Sequence, residues 1–104
     1  MKNIAIIGST GSIGVNALRV VESHPERFRV TALAAGGNVE LMLAQVKRFK
    51  PRIACLHDAE KAKILLRELR GSRTRVVCGE EGLREAAAHP DNRLVIFSVV
   101  GARG

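Results

Sequence analysis

Residues 3–14 read NIAIIGSTGSIG, a short apolar run followed by three glycines at intervals of three residues. A continuous apolar run of this length is typical of a strand that is buried on both faces of a sheet. The glycines form a G-x-x-G-x-x-G loop, a variant of the G-x-G-x-x-G loop that joins a strand to a helix in dinucleotide-binding folds. The apolar spacing of residues 12–23 predicts a helix directly after the loop.

Strands and helices are predicted to alternate along the rest of the chain. Short apolar runs predict five strands, at residues 3–7, 29–35, 53–56, 75–78 and 94–99. Amphipathic segments predict four helices, at residues 12–23, between Asn38 and Pro51, at 59–70 and at 80–89. Such alternation calls for parallel strands joined by right-handed crossovers. The predicted fold class is α/β, a Rossmann-like parallel sheet of five strands in the order 3-2-1-4-5 with helices on both faces.

Composition narrows the function classes. The 104 residues suffice for one small domain, and a hydrophobic content of 46% is too high for a disordered chain. The net charge is +7, but the basic residues are scattered and the only aromatic residues are three phenylalanines. We therefore expect no nucleic-acid partner, and a basic surface that is solvated or contacts an anionic small molecule. The apolar runs are too short for a signal peptide or a membrane span, and two cysteines suit a reducing, cytoplasmic location.

The glycine loop suits the phosphates of a dinucleotide. Gly8 permits a sharp exit from the strand, Gly11 lets the backbone approach a pyrophosphate, and Gly14 lets the helix pack closely on the sheet. The helix N-terminus offers free N–H groups and a partial positive charge to an anion. Hydroxyl groups of the loop, from Ser9, Thr10 and Ser12, can add donors.

The loop after the second strand bears on the choice between NAD and NADP. NAD-preferring sites place an acidic residue there to accept a hydrogen bond from the ribose 2′-hydroxyl. Residues 34–38 read AAGGN and contain no acid, which permits the 2′-phosphate of NADP. Gly36 and Gly37 expose backbone N–H groups, and Asn38 has a side-chain amide. The alternative is that the glycines form only a flexible turn and that Asn38 only caps the next helix.

No catalytic or metal-binding group is predicted. Cys55 and His57 lie close in sequence, but further ligands at a zinc-like spacing are missing. Asp58 instead suits the N-cap of the third helix. Glu80 and Glu81 are adjacent and point apart on a helix, so they do not form an acid–base pair.

The sequence resembles the 1-deoxy-D-xylulose 5-phosphate reductoisomerases along its whole length. The similar segments are residues 4–14, 24–28, 34–38, 51–54, 79–83 and 99–104. The resemblance implies an enzyme of non-mevalonate isoprenoid biosynthesis that uses NADPH and a divalent metal, Mg or Mn. Its substrate is a phosphorylated sugar, 1-deoxy-D-xylulose 5-phosphate, and its product is 2-C-methyl-D-erythritol 4-phosphate. It also implies that the full-length protein is a homodimer.

Site residues follow from the resemblance by position. Residues Thr10, Gly11, Ser12 and Ile13 would hold the NADPH phosphates, and Gly36, Gly37 and Asn38 would surround the adenosine ribose phosphate. Two positions depart from the family pattern. Gly37 stands where a lysine or serine is common, which removes a side-chain contact to the 2′-phosphate. Arg103 stands where a small residue is usual.

The resemblance assigns residues 1–104 to part of an N-terminal NADP-binding Rossmann domain. The metal ligands, the substrate-binding residues and the lid of the family lie downstream of these positions, so the catalytic and C-terminal domains are expected to be absent. We therefore expect no catalytic residue, no metal site and no turnover in this chain alone. Two alternatives are an NADP-binding domain of another oxidoreductase, such as a semialdehyde dehydrogenase, and a non-enzymatic nucleotide-binding module.

Overall fold

The computed structural model describes residues 1–98, and the predictions for Val99 and Arg103 lie outside this range. Five strands form one sheet: β1 Lys2–Ile7, β2 Phe28–Ala35, β3 Ile53–Leu56, β4 Arg75–Cys78 and β5 Leu94–Phe97. Four helices alternate with them: α1 Ser12–Ser23, α2 Val39–Phe49, α3 Ala59–Glu68 and α4 Gly79–Ala87. All pairings are parallel, so the predicted α/β class with a Rossmann-like sheet is confirmed.

The strand order is β4-β3-β2-β1-β5, which corrects the predicted order 3-2-1-4-5. We expected β4 beside β1, but β4 pairs with β3, and β5 takes the place beside β1. The reason lies in α3, whose Ala62 and Leu65 join the core on the face that α1 and α2 cover. A right-handed crossover on that face carries the chain further away from β1. The winding therefore reverses only after β4.

The sheet has a core on each face. Residues of β1 alternate between them, since Ile4 and Ile6 face one core and Ala5 and Ile7 the other. The first core contains side chains of α1, α2 and α3, and the second contains Ala86 of α4. Helices thus cover both faces, as predicted.

Two predicted helix ends are corrected. The third helix ends at Glu68, before the predicted residue 70, and leads into a turn at Gly71. The fourth helix spans Gly79–Ala87, not residues 80–89. Its end is fixed by Asn92, whose side-chain amide donates to the carbonyl oxygens of Ala86 and Ala87 at 2.9 and 3.1 Å. The carbonyl groups at a helix end have no partner within the helix. Because Asn92 donates hydrogen bonds to these two, the helix can end at Ala87.

Gly14 allows α1 to lie against the end of β1. A Cβ at this position would lie 2.7 Å from the Cα of Ser9 and would overlap the carbonyl oxygen of Gly8. Both obstacles are backbone atoms, so a side chain at Gly14 can be accommodated only by moving the helix. This approach carries the amino end of α1 to the carboxyl edge of the sheet.

Gly14→Ala is expected to destabilise the fold, because the added methyl group forces α1 away from β1. Overpacking of this kind costs about 1–3 kcal/mol. Thermal denaturation followed by circular dichroism measures the loss. Gly11→Ala is the matched control, since its Cβ would lie 3.6 Å from Gly8 O, an ordinary contact distance. Equal melting temperatures for the two variants would contradict the assigned role of Gly14.

The outer edge of β5 should promote self-association. Within residues 1–98, β5 pairs only with β1, and its Phe97 is 65% exposed. An apolar strand with unpaired backbone groups is a template for another strand. Light scattering should therefore show a mass that rises with concentration, and Phe97→Lys should reduce that rise. A monomer at all concentrations would refute this expectation.

Candidate functional site

The glycine loop begins with a sharp turn at Gly8, whose φ is +93°. A side chain there would be strained, and its Cβ would lie 2.5 Å from the Oγ of Ser98. Ser98 follows β5 and binds the same turn: its hydroxyl lies 2.6 Å from Gly8 O, and its N–H donates to Ile7 O at 2.8 Å. The loop is therefore attached to the ends of both β1 and β5.

Further hydrogen bonds attach the loop to β2 and α2. The N–H groups of Gly8 and Ser9 both donate to the carbonyl oxygen of Ala34, at the end of β2, at 2.7 and 2.9 Å. The buried side chain of Gln45, on α2, donates from Nε2 to the carbonyl oxygen of Ser9 at 2.8 Å. Four elements, β1, β2, β5 and α2, thus fix the path of the loop.

The structure separates the hydroxyl groups of the loop. Ser9 is fully buried, and its Oγ has no hydrogen-bond partner among residues 1–98, so it cannot face a ligand in solution. This corrects the expectation that Ser9 adds a donor to the site. Thr10 is half-buried and Ser12 is exposed, so both hydroxyl groups remain available.

The N-terminus of α1 differs from those of the other helices. Gly11 is its N-cap and no side chain caps it, which is also true of α4, but only in α1 does the first turn contain no acidic residue. By contrast, the first turns of α2, α3 and α4 each contain at least one glutamate. The first N–H groups of α1, at Ser12 and Ile13, therefore keep their partial positive charge, and their positions are exposed at the carboxyl edge of the sheet. Such a terminus can bind an anion.

The loop after β2 provides a second open segment. Gly36 is exposed, and a Cβ added to it would meet no atom within 4 Å. Asn38 caps α2, as predicted, because its Oδ1 accepts a hydrogen bond from the N–H of Leu41 at 3.1 Å. The side-chain NH₂ of Asn38 is left as a donor at the exposed surface. Gly37 is half-buried and lies against α3.

Asp58 lies beside this loop, although the sequence of the loop contains no acid. Its Oδ2 is 4.0 Å from the position of a Cβ at Gly37. Its Oδ1 accepts hydrogen bonds from the N–H groups of Glu60 and Lys61 at 3.0 and 3.1 Å, which confirms the predicted N-cap of α3. Sequence reasoning missed this neighbour because the ends of β2 and β3 meet only in the folded sheet.

An apolar cavity of about 180 Å³ lies next to both loops. Its lining comes from the carboxyl ends of β1, β2 and β3, with one residue of α4: Ile7, Gly8, Ala34, Ala35, Gly36, Cys55, His57 and Leu83. Larger clefts of about 570 Å³ each contain Lys50, Pro51 and Arg73, at the opposite edge of the sheet. The smaller cavity is therefore the one that the glycine loop adjoins.

Chemically reactive groups are few at this edge. Burial, with smaller contributions from Cys78 and Glu85, raises the pKa of the Cys55 thiol to about 11, so the thiol is protonated at neutral pH. Within residues 1–98, no three His, Cys, Asp or Glu side chains are grouped so that they could hold a metal ion. The helices of the described residues include none with the length and hydrophobicity of a transmembrane span. His57 is the other titratable group of the cavity lining, and its Nε2 lies 3.7 Å from Oε1 of Glu80 on α4.

Gln45 and Ser98 are the site-supporting residues that the sequence did not reveal. Gln45 had a detectable signal, because it follows Met42 by one helical turn and lies on the apolar face of α2. A polar residue on such a face needs a buried partner. Ser98 had no detectable signal in the sequence, since its contact with Gly8 joins positions 90 residues apart.

Comparisons with known proteins agree with this geometry. A family model described as 1-deoxy-D-xylulose 5-phosphate reductoisomerase matches residues 4–104. Proteins with that name from Haemophilus ducreyi and Symbiobacterium thermophilum are 47% and 50% identical over 100% and 99% of this chain. The chain spans only 27% and 28% of their lengths.

Solved structures give the same result. A reductoisomerase crystallised with NADPH, fosmidomycin and magnesium matches 95% of this chain and 24% of its own, with a TM-score of 0.90 and 31% identity. The Zymomonas mobilis enzyme in complex with NADPH matches 86% of this chain and 24% of its own, with a TM-score of 0.82 and 31% identity. The sequence match and the shared fold together show that this chain belongs to the 1-deoxy-D-xylulose 5-phosphate reductoisomerase family.

Proposed function

We propose that this chain is the NADPH-binding part of a reductoisomerase that converts 1-deoxy-D-xylulose 5-phosphate to 2-C-methyl-D-erythritol 4-phosphate. The observation that carries the proposal is the uncapped N-terminus of α1, which follows the glycine loop and lies beside an apolar cavity. Two relatives of similar fold were crystallised with NADPH. Membership of this family excludes the semialdehyde-dehydrogenase alternative.

The loop residues fit the phosphates of NADPH. Gly11 has no side chain, so a pyrophosphate can approach the backbone closely. The N–H groups of Ser12 and Ile13 provide donors at the positive end of α1. The hydroxyl groups of Thr10 and Ser12 are not buried and can donate further hydrogen bonds.

The adenosine half of NADPH fits the second loop and the cavity. The cavity is apolar and small, which suits the flat face of an adenine ring. Gly36 leaves open space for the ribose, and the amide NH₂ of Asn38 can donate to a phosphate oxygen on it. Gly37 is the residue of this loop that lies against the start of α3.

The chain contributes binding and orientation, since the hydride chemistry belongs to the nicotinamide of NADPH. We propose that the metal and the phosphorylated sugar bind to other parts of such an enzyme, since this chain spans only 27% of the length of a curated relative. A homodimer of the full-length protein, a cytoplasmic location and the absence of a nucleic-acid partner remain predictions.

Gly11→Ala should weaken NADPH binding without unfolding the chain. The new methyl group meets only Gly8 O at 3.6 Å, but it occupies the surface that a pyrophosphate must approach. We expect the Kd for NADPH, measured by isothermal titration calorimetry, to rise roughly tenfold, which corresponds to about 1.4 kcal/mol. An unchanged Kd with an unchanged melting temperature would contradict the proposed phosphate site.

The chain alone should show no reductoisomerase activity. The assay mixes the purified chain with NADPH, magnesium and 1-deoxy-D-xylulose 5-phosphate and follows the loss of NADPH absorbance. A full-length family member serves as the positive control. Substrate-dependent oxidation of NADPH by the chain alone would contradict this expectation and show that the chain contains catalytic groups.

A further inference from the structure

Lys61 lies in the first turn of α3 and packs alongside Gly37. A Cβ at Gly37 would lie 3.5 Å from the Cγ of Lys61 and 3.6 Å from the Cβ of Asp58. This contact involves the middle of the lysine side chain, so the ammonium group lies within one side-chain length of the Gly36–Asn38 loop. Lys61 is therefore a cationic residue whose side chain lies beside this loop, at the position where Gly37 has no side chain.

The position of Lys61 does not favour the helix itself. It is the third residue after the N-cap Asp58, where a capping box has Glu or Gln, and a cation in the first turn opposes the helix dipole. Among residues 1–98 it forms no ion pair, whereas Lys63 lies 3.5 Å from the carboxylate of Glu60. Lys61 is exposed, and its charge is available to an anion.

The carboxylate of Asp58 makes the positive charge of Lys61 relevant to the choice between NADH and NADPH. This carboxylate lies beside Gly37 and would repel a phosphate on the adenosine ribose, although it would tolerate the 2′-hydroxyl of NADH. Lys61, whose Cγ lies 3.5 Å from the same Cβ position at Gly37, can bring its ammonium group to a phosphate bound there and offset that repulsion. Without Lys61, the loop would therefore favour NADH more than NADPH.

We propose that Lys61 is a specificity-determining residue whose ammonium group pairs with the ribose 2′-phosphate of NADPH. It supplies from α3 the contact that a side chain at position 37 cannot supply here. This inference rests on the proposed function, since it requires that NADPH binds at the Gly36–Asn38 loop.

The test measures the Kd of NADPH and of NADH for the unmodified chain and for three variants by isothermal titration calorimetry. Lys61→Ala should raise the Kd of NADPH roughly tenfold and leave that of NADH within about twofold. Lys61→Arg should retain most of the affinity for NADPH, since it keeps the charge. Lys63→Ala is the matched control on the same helix, and neither Kd should change.

A second titration isolates the phosphate. Adenosine 2′,5′-bisphosphate and adenosine 5′-monophosphate differ only in the 2′-phosphate, and Lys61→Ala should weaken only the first. Equal weakening of both ligands, or of neither, would overturn the role of Lys61 while NADPH binding by the unmodified chain still supports the proposed function. If the unmodified chain bound neither NADPH nor NADH, the proposed function and this inference would both fail.

Discussion

The backbone contact between Gly14 and Gly8 is the constraint on which the rest of the site depends. It is close enough to exclude even a methyl group, and it fixes the amino end of α1 over the end of β1. The loop between the two glycines is then held by hydrogen bonds that it donates to Ala34 and accepts from Gln45 and Ser98. Donors fixed in this way before a ligand arrives lose little freedom on binding, which favours affinity.

Chain winding determines which edge of the sheet carries the site. Strands β1 to β4 are added in order in one direction, and the three helices that connect them cover one face of the sheet. Helix α4 then crosses the other face, so that β5 pairs with β1. The reversal leaves β1 between β2 and β5. In open α/β sheets, ligands bind outside the carboxyl ends of the strands at such a point. The glycine loop and the apolar cavity both lie there.

Local chemistry explains what the sequence could predict. Apolar runs marked all five strands, and Asn38 and Asp58 marked the starts of two helices because a short polar side chain can cap the N–H groups that follow it. The strand order could not be read in this way. The runs RVVC and LVIF are both four residues long and largely apolar, and only the placement of α3 on the face that α1 and α2 cover decides which of them reaches β1. The contacts of Gly37 with Asp58 and Lys61 likewise exist only after β2 and β3 have paired.

The central claim is that the carboxyl edge of this sheet binds NADPH through the two glycine loops. Amide chemical shifts of the isotope-labelled chain, followed by NMR during titration with NADPH, test it most directly. If NADPH binds there, saturable shifts are expected at residues 8–14 and 36–38, with little change at the opposite edge. Shifts concentrated around Lys50 and Arg73, or no saturable shifts at all, would contradict it.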